Sequence, residues 1–234
     1  MEGLAVKKVL IAGGTGLIGA QVVAELAKHK NTEVIALVRR PATQFSSKVT
    51  QVVVDFNQGL EGLQKALSSR SFDVVICAIG TTMRIAGSKE AFTKIDHDIP
   101  VSLLKYANLL AVKPKFIFVS SLGADKPYGF YLETKQAVEK EILAAKLPYV
   151  IVRPSLLLGE RPESRLGEAV AQKLMPGLFN SLAATPLSKT QWFKRYRPVT
   201  GTAVAKRIVT EVFAEQQKQA LVLEGDDFAC GERS

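Results

Sequence analysis

The stretch Gly13-Gly14-Thr15-Gly16-Leu17-Ile18-Gly19 constrains this chain more than any other. It follows an apolar run, Val9-Leu10-Ile11-Ala12, and leads into a helical pattern from Ala20 to Ala27. A strand, a glycine-rich turn and a helix in that order build a cradle for dinucleotide phosphates. Gly13 suits the tight turn, Gly16 lets the backbone approach a pyrophosphate, and Gly19 allows close packing of helix on strand. The helix amino terminus then offers N–H groups and partial positive charge to the phosphates. Thr15, Leu17 and Ile18 fill out that turn, so all belong to the expected cofactor contacts.

Apolar runs alternate with amphipathic helical patterns along most of the chain. Strands are predicted at 8–12, 33–38, 49–54, 73–78, 115–120, 149–152 and 220–224. Helices are predicted near 17–29, 59–67, 88–110, 131–145 and 202–217. Near-continuous Val and Ile runs imply strands covered on both faces, hence a parallel sheet. Right-handed crossovers give the doubly wound order 3-2-1-4-5-6, with a cofactor at the carboxyl ends. The expected fold is α/β: a doubly wound parallel Rossmann sheet, helices on both faces, and a small carboxyl-terminal substrate lid. Residues 1–234 read as a single NAD(P)-binding Rossmann-like domain. The stretch 159–199, rich in Pro, Gly, Ser and Arg, breaks the alternation and is expected to form a mobile lid over the cleft.

Composition narrows the function classes. With 234 residues the chain can bury a full core, and 47% hydrophobic against 23% charged residues suits a soluble globular protein. Cys77 and Cys230 are too few for a disulfide framework. Cys77 ends the run Val74-Val75-Ile76 and is expected to be a buried thiol. His29 and His97 lack a zinc-ligand spacing, so no metal is expected. No secretory signal and no membrane-length apolar stretch is read, which makes the cytoplasm the default location. The net charge of +9 favours anionic ligands. Its densest group is Lys189, Lys194, Arg195 and Arg197, interleaved with Trp192, Phe193 and Tyr196. Such a group can bind single-stranded nucleic acid. Beside a dinucleotide cradle, packing along the substrate cleft is the stronger reading, and no nucleic-acid partner is expected.

Tyr131 and Lys135 form Tyr-x-x-x-Lys at the start of a predicted helix, and the spacing puts both side chains on one face. A phenol ionising near pH 10 is a poor acid–base catalyst at neutral pH, but a nearby ammonium stabilises its phenolate. Ser120-Ser121 ends the preceding strand, where a hydroxyl can hold a substrate oxygen. Arg39-Arg40 ends the second strand, where an NAD-selective protein places an acid for the ribose hydroxyls. Arginine there can instead bind a 2′-phosphate, so NADP(H) is the expected cofactor. Ala78 and Gly80, closing the fourth strand, complete the predicted cofactor set. Asp55, after Val52-Val53-Val54, either contacts the adenine edge or serves as a strand-terminal turn residue.

On these residues the chain resembles the short-chain dehydrogenase/reductase superfamily, with the glycine spacing of its extended and atypical branches. The stretches Ser120-Ser121-Leu122-Gly123-Ala124-Asp125-Lys126, Tyr131-Leu132-Glu133-Thr134-Lys135 and Arg153-Pro154-Ser155-Leu156-Leu157-Leu158-Gly159-Glu160-Arg161 are similar to the Tat-interacting oxidoreductase-like atypical group, as is Glu163-Ser164-Arg165. The resemblance covers nearly the whole chain. It implies NADP(H) binding, with Ser121, Tyr131 and Lys135 in the catalytic positions and Pro154 beside the nicotinamide. Asp96 lies where the superfamily has an Asn or Asp beside the active site, and is also readable as a carboxylate at a helix start. Ser121 precedes Tyr131 by ten residues, a shorter connection than many members have.

The leading expectation is an NADP(H)-dependent oxidoreductase acting on a small-molecule carbonyl or alcohol. One alternative is a nucleotide-sugar epimerase or dehydratase, for which the roughly 75 residues after Gly159 leave little material. Another is a non-catalytic NADPH-sensing interaction protein, which implies a protein partner. Substrate identity and oligomeric state are not legible in the sequence.

Overall fold

Seven parallel strands form the centre of the computed structural model, which describes residues 6–68, 70–158, 190, 195–214 and 220–231. They are β1 (Lys7–Ala12), β2 (Thr32–Val38), β3 (Val49–Val53), β4 (Val74–Cys77), β5 (Lys115–Val119), β6 (Tyr149–Arg153) and β9 (Ala220–Glu224). Two short strands, β7 (Leu157–Leu158) and β8 (Val199–Thr200), make a separate parallel pair. The main sheet has the order β3-β2-β1-β4-β5-β6-β9. This is the doubly wound order expected, extended at one edge by β9.

Alternation along the strands builds two cores. Val9 and Ile11 of β1, with Val34, Ala36, Val74, Ile76, Ile117 and Val150, face α1 (Leu17–Leu26) and α7 (Gly201–Phe213). Their neighbours Leu10, Ile35, Val75, Phe116 and Ile151 face the other way. There they meet α2 (Gly59–Leu67), α5 (Ile99–Leu109) and α6 (Phe130–Ala144). Each such side chain fully buried contributes about 1.5–3 kcal/mol, so the sheet cannot slip register without reversing both faces.

The helix expected over 88–110 is interrupted. Two short helices, α3 (Met83–Ala86) and α4 (Lys89–Thr93), lead into a single π-helical stretch at Lys94–Asp98 before α5. Pro100, in the first turn of α5, explains the break, because it has no N–H to continue an α-helical ladder. The lid expected at 159–199 lies outside the described residues, apart from Thr190 and 195–199. Lys189, Trp192, Phe193 and Lys194 of the basic-aromatic group lie outside them too.

At the amino-terminal edge the buried Lys115 donates from Nζ to the carbonyls of Glu211 (2.9 Å) and Ala214 (3.0 Å). It caps the carboxyl end of α7, as a cation at a helix C-terminus should. A cavity of about 380 Å³ opens at this edge, lined by Ala27, His29, Lys30, Thr32, Val34 and Lys48. It lies at the opposite end of the strands from the glycine turn.

Candidate cofactor and catalytic site

The glycine turn is built so that side chains cannot occupy it. Gly13 has φ +87°, and a Cβ there would lie 2.5 Å from the backbone carbonyl of Ala78. The turn therefore presses on the exit of β4, where Ala78 also donates its N–H to Ala12 at 2.8 Å. A Cβ on Gly19 would lie 2.1 Å from the Gly13 carbonyl oxygen, so α1 packs against the turn itself. Gly16 caps α1 without a side-chain hydrogen bond, and Thr15 and Gly16 are exposed. The uncapped first turn, with Leu17 and Ile18, leaves backbone N–H groups for an anion. This cradle fits the pyrophosphate of a dinucleotide.

Around the cradle the expected adenosine-side residues separate. Arg39 and Arg40 are exposed beyond β2, and neither is ion-paired to a described residue. The chain then folds back, with Gln51 bonded twice to the Ala42 backbone and Phe45 packed over Gly14. Asp55 is committed locally: one carboxylate oxygen accepts from the Asn57 N–H at 3.0 Å, the other from Gln58 at 3.0 Å. The Asn57 bond is the chief cause that holds its carboxyl below the usual range. The turn-residue reading is the one this geometry supplies.

Beyond β4 and β5 a second constellation forms. Lys135, buried on α6, places Nζ 3.0 Å from Oδ1 of the fully buried Asp96. The contact is ionic rather than directional, and Oδ1 has no hydrogen-bond partner. The other oxygen, Oδ2, accepts from the Thr81 N–H at 2.8 Å. A Cβ on Gly80 would lie 3.4 Å from Asp96 Oδ1 and 3.7 Å from Lys135 Nζ, so the expected cofactor glycine sits against the pair. The π-helical stretch aims Asp96 at this point, and such bulges are frequent at functional sites. Asp96 is thus a partner of Lys135 and not merely a helix-start carboxylate.

Tyr131 stands one turn before Lys135 on α6, 40% exposed, with its ring edge-on to the buried Phe92. Ser121 follows β5 and is half-buried. It is held from both sides: Ser120 donates its N–H to Val152 at 2.7 Å, and Leu122 donates to Pro154 at 3.0 Å. Those bonds extend the β5–β6 ladder and place Ser121 beside Pro154. Gly129, at φ +83°, turns the short connection into α6. Ser121, Tyr131, Lys135, Pro154 and Gly80 therefore all emerge at the carboxyl edge, next to the cradle.

A network not foreseen from the sequence lies behind them. Ser120 donates its hydroxyl to Glu139 Oε1 at 2.5 Å. Arg153 grips the same carboxylate with Nε at 3.0 Å and Nη2 at 2.6 Å. Arg153 also reaches Glu224 at 3.5 Å; Glu224 lies 3.3 Å from Arg195, which bonds Asp125 at 2.7 Å. The Glu139 bonds hold the Arg153 guanidinium above its usual range, against the burial that lowers it. Glu139 follows Lys135 by four residues, so Tyr131, Lys135 and Glu139 continue one helical spacing. Only the adjacency of β5 and β6 shows what that third position touches.

A family model described as NAD(P)H-binding matches residues 13–177, starting at the first glycine of the cradle. The chain belongs to that NAD(P)H-binding family. The mitochondrial protein FMP52 of Debaryomyces hansenii is 34% identical over 199 residues, covering 84% of this chain and 83% of the relative. Protein HTATIP2 of Rattus norvegicus is 34% identical over 184 residues, covering 76% of this chain and 74% of the relative. In fold, the chain is similar to the oxidoreductase ylbE from Lactococcus lactis, with a TM-score of 0.65, 20% identity and coverage of 92% of this chain and 88% of that one. It is also similar to UDP-glucuronic acid 4-epimerase from Bacillus cereus in complex with NAD, with a TM-score of 0.67, 15% identity and coverage of 93% and 77%. The expected resemblance to the Tat-interacting group is borne out by the HTATIP2 relative, and the expected fold by the solved structures.

One expectation from the sequence is overturned. The cytoplasmic default conflicts with the FMP52 relatives, several of which are named mitochondrial. That default rested on the lack of secretory and membrane signals, and neither signal bears on delivery to mitochondria. Among the described residues no helix is long and apolar enough to cross a membrane.

Proposed function

We propose that this NAD(P)H-binding chain is an NADP(H)-dependent oxidoreductase acting on a carbonyl or alcohol, with Ser121, Tyr131 and Lys135 as its catalytic residues. The observation that carries this reading is the buried Lys135–Asp96 pair, 3.0 Å apart, set one helical turn behind a solvent-reachable Tyr131. A buried ammonium held in that position keeps positive charge behind the phenol, as a proton-donating tyrosine requires.

When bound, the nicotinamide cofactor supplies or accepts the hydride. The residues of this chain do the rest. Gly13, Gly16 and Gly19 with the first turn of α1 hold the pyrophosphate, and Arg39 and Arg40 bind the 2′-phosphate. Ser121 donates a hydrogen bond to the substrate oxygen and orients it. Tyr131 gives its hydroxyl proton to that oxygen in reduction and takes it back in oxidation. Lys135 stabilises the phenolate and binds the nicotinamide ribose. Asp96 positions Lys135 and, through Thr81, ties it to the loop beyond β4.

The test is a titration of NADPH and NADH, followed by reduction of a carbonyl panel by wild type, Tyr131→Phe and Arg39→Ala/Arg40→Ala. Tighter NADPH binding that is lost in the double arginine variant supports the cofactor assignment, and equal or tighter NADH binding overturns it. A fall in turnover of about 10²–10⁴-fold in Tyr131→Phe, with cofactor binding kept, supports the proton donor. Wild-type protein that binds NADPH and reduces nothing in the panel favours the sensing protein instead.

A further inference from the structure

Glu139 occupies a position that catalysis by Ser121, Tyr131 and Lys135 leaves unused. It is buried on α6, and its carboxylate joins that helix to the end of β5 through Ser120 and to the end of β6 through Arg153. A buried carboxylate is costly unless its hydrogen bonds are satisfied, and here both oxygens are engaged. The residues it grips are each next in sequence to a site residue. Ser120 precedes Ser121, and Arg153 precedes Pro154.

We propose that Glu139, with Ser120 and Arg153, is a positioning set that fixes α6 against the ends of β5 and β6. This rests on the catalytic reading above. The helix carries Tyr131 and Lys135, whereas the strand ends carry Ser121 and Pro154. Apart from this set, α6 is tied to that half by the Gln136 amide on the Asp125 carbonyl at 3.3 Å, by Lys135 over the Phe118 ring at 5.3 Å and by apolar packing, none of which fixes the helix against the ends of both strands. The Ser120 hydroxyl fixes how far α6 stands from β5. The two-pronged Arg153 contact fixes its rotation relative to β6, because a fork matches a carboxylate in one plane only. Arg153 extends the set to Glu224 at 3.5 Å, and Glu224 to Arg195 at 3.3 Å. Arg195 closes on Asp125, in the loop that leads from Ser121 to α6. The same loop is therefore held at Ser120 and again at Asp125.

The test compares full-length wild type, Glu139→Gln and Ser120→Ala. Glu139→Gln keeps the size but removes the charge that Arg153 grips. Ser120→Ala removes one hydroxyl and leaves both charges in place. Two readouts are taken with whichever of NADPH and NADH binds more tightly: the emission of the bound nicotinamide, and the kcat and KM for 9,10-phenanthrenequinone as carbonyl probe. Expected are dissociation constants and KM within about 3-fold of wild type, a shifted nicotinamide emission, and kcat lowered about 10–100-fold in Glu139→Gln. Ser120→Ala should move in the same direction by less. Variants that are merely less stable, with wild-type emission and wild-type kcat, overturn the proposal. If Glu139→Gln does not fold, Ser120→Ala decides alone. If wild type reduces nothing, the catalytic reading fails while the emission readout still decides the role of Glu139.

Discussion

Lys135 and Asp96, from two different helical segments, meet at 3.0 Å with both side chains almost completely removed from solvent. Removing one member of such a pair leaves an uncompensated charge behind, at a cost of about 3–5 kcal/mol. Asp96→Asn should therefore lower the unfolding free energy by about 3 kcal/mol or more, although the amide can still accept the Thr81 N–H. Urea unfolding monitored by circular dichroism measures this. A loss below about 1 kcal/mol would place the pair in a far more polar setting than its burial indicates.

The cradle makes a steric prediction that separates its glycines. A Cβ on Gly19 would sit 2.1 Å from the Gly13 carbonyl oxygen, whereas one on Gly16 would sit 3.3 Å from it. Gly19→Ala should force α1 off the turn, costing about 1–3 kcal/mol and cofactor binding with it. Gly16→Ala, whose Cβ asks its neighbour to yield by only a few tenths of an ångström and which replaces a better N-cap residue, should cost less stability than Gly19→Ala while weakening the cofactor. Thermal unfolding and cofactor titration of the two variants check this, and equal destabilisation would contradict it.

Asp125 sets a pH dependence. Burial pushes its carboxyl up, but the Arg195 bond, with the Arg195 and Arg153 charges, more than offsets that and holds it below the ordinary value. A depressed carboxylate stabilises the fold above its unfolded pKa, about 3.9, and that contribution is lost as pH falls through the folded value. Wild type should therefore be more stable than Asp125→Asn at neutral pH, with the gap closing below about pH 4. Urea midpoints measured from pH 7 down to pH 3 report it. A gap that is constant across this range would show that the carboxylate's charge contributes nothing.

Cys77 should be chemically silent. It closes β4 within the core, and burial pushes its thiol up to about 11. At pH 8 only about one molecule in a thousand would carry the reactive thiolate, and access is blocked as well. In a Cys230→Ser background, iodoacetamide should label Cys77 only in denaturant. Stoichiometric labelling of the native protein within minutes would contradict its burial.

Much of the fold was readable from the chain because both periods are strong. All seven long strands coincide with the Val- and Ile-rich runs, since strands buried on both faces need little else. The interruption at Lys94–Asp98 was hidden, because Phe92, Asp96 and Leu103 keep a helical spacing that a π-helical stretch shifts without erasing. The short pair Leu157–Leu158 and Val199–Thr200 was equally hidden, as two residues carry no period. At the candidate site, the glycine turn and Tyr131-x-x-x-Lys135 announce themselves through local spacing. Glu139, Arg153, Glu224, Arg195 and Asp125 do not, because each contact joins residues far apart in sequence. Asp55 shows the opposite limit: a turn residue and a ligand contact look alike in sequence, and only its hydrogen bonds to Asn57 and Gln58 reveal the turn.

The two-residue pairing of Leu157 with Val199 and of Leu158 with Thr200 brings two points far apart in sequence to one strand spacing, about 4.8 Å. Closing a chain at such a pair carries an entropic cost that grows slowly, by about 0.6 kcal/mol for each doubling of length. The pair thereby fixes where the chain enters α7, so that this helix and β9 keep their places on the sheet.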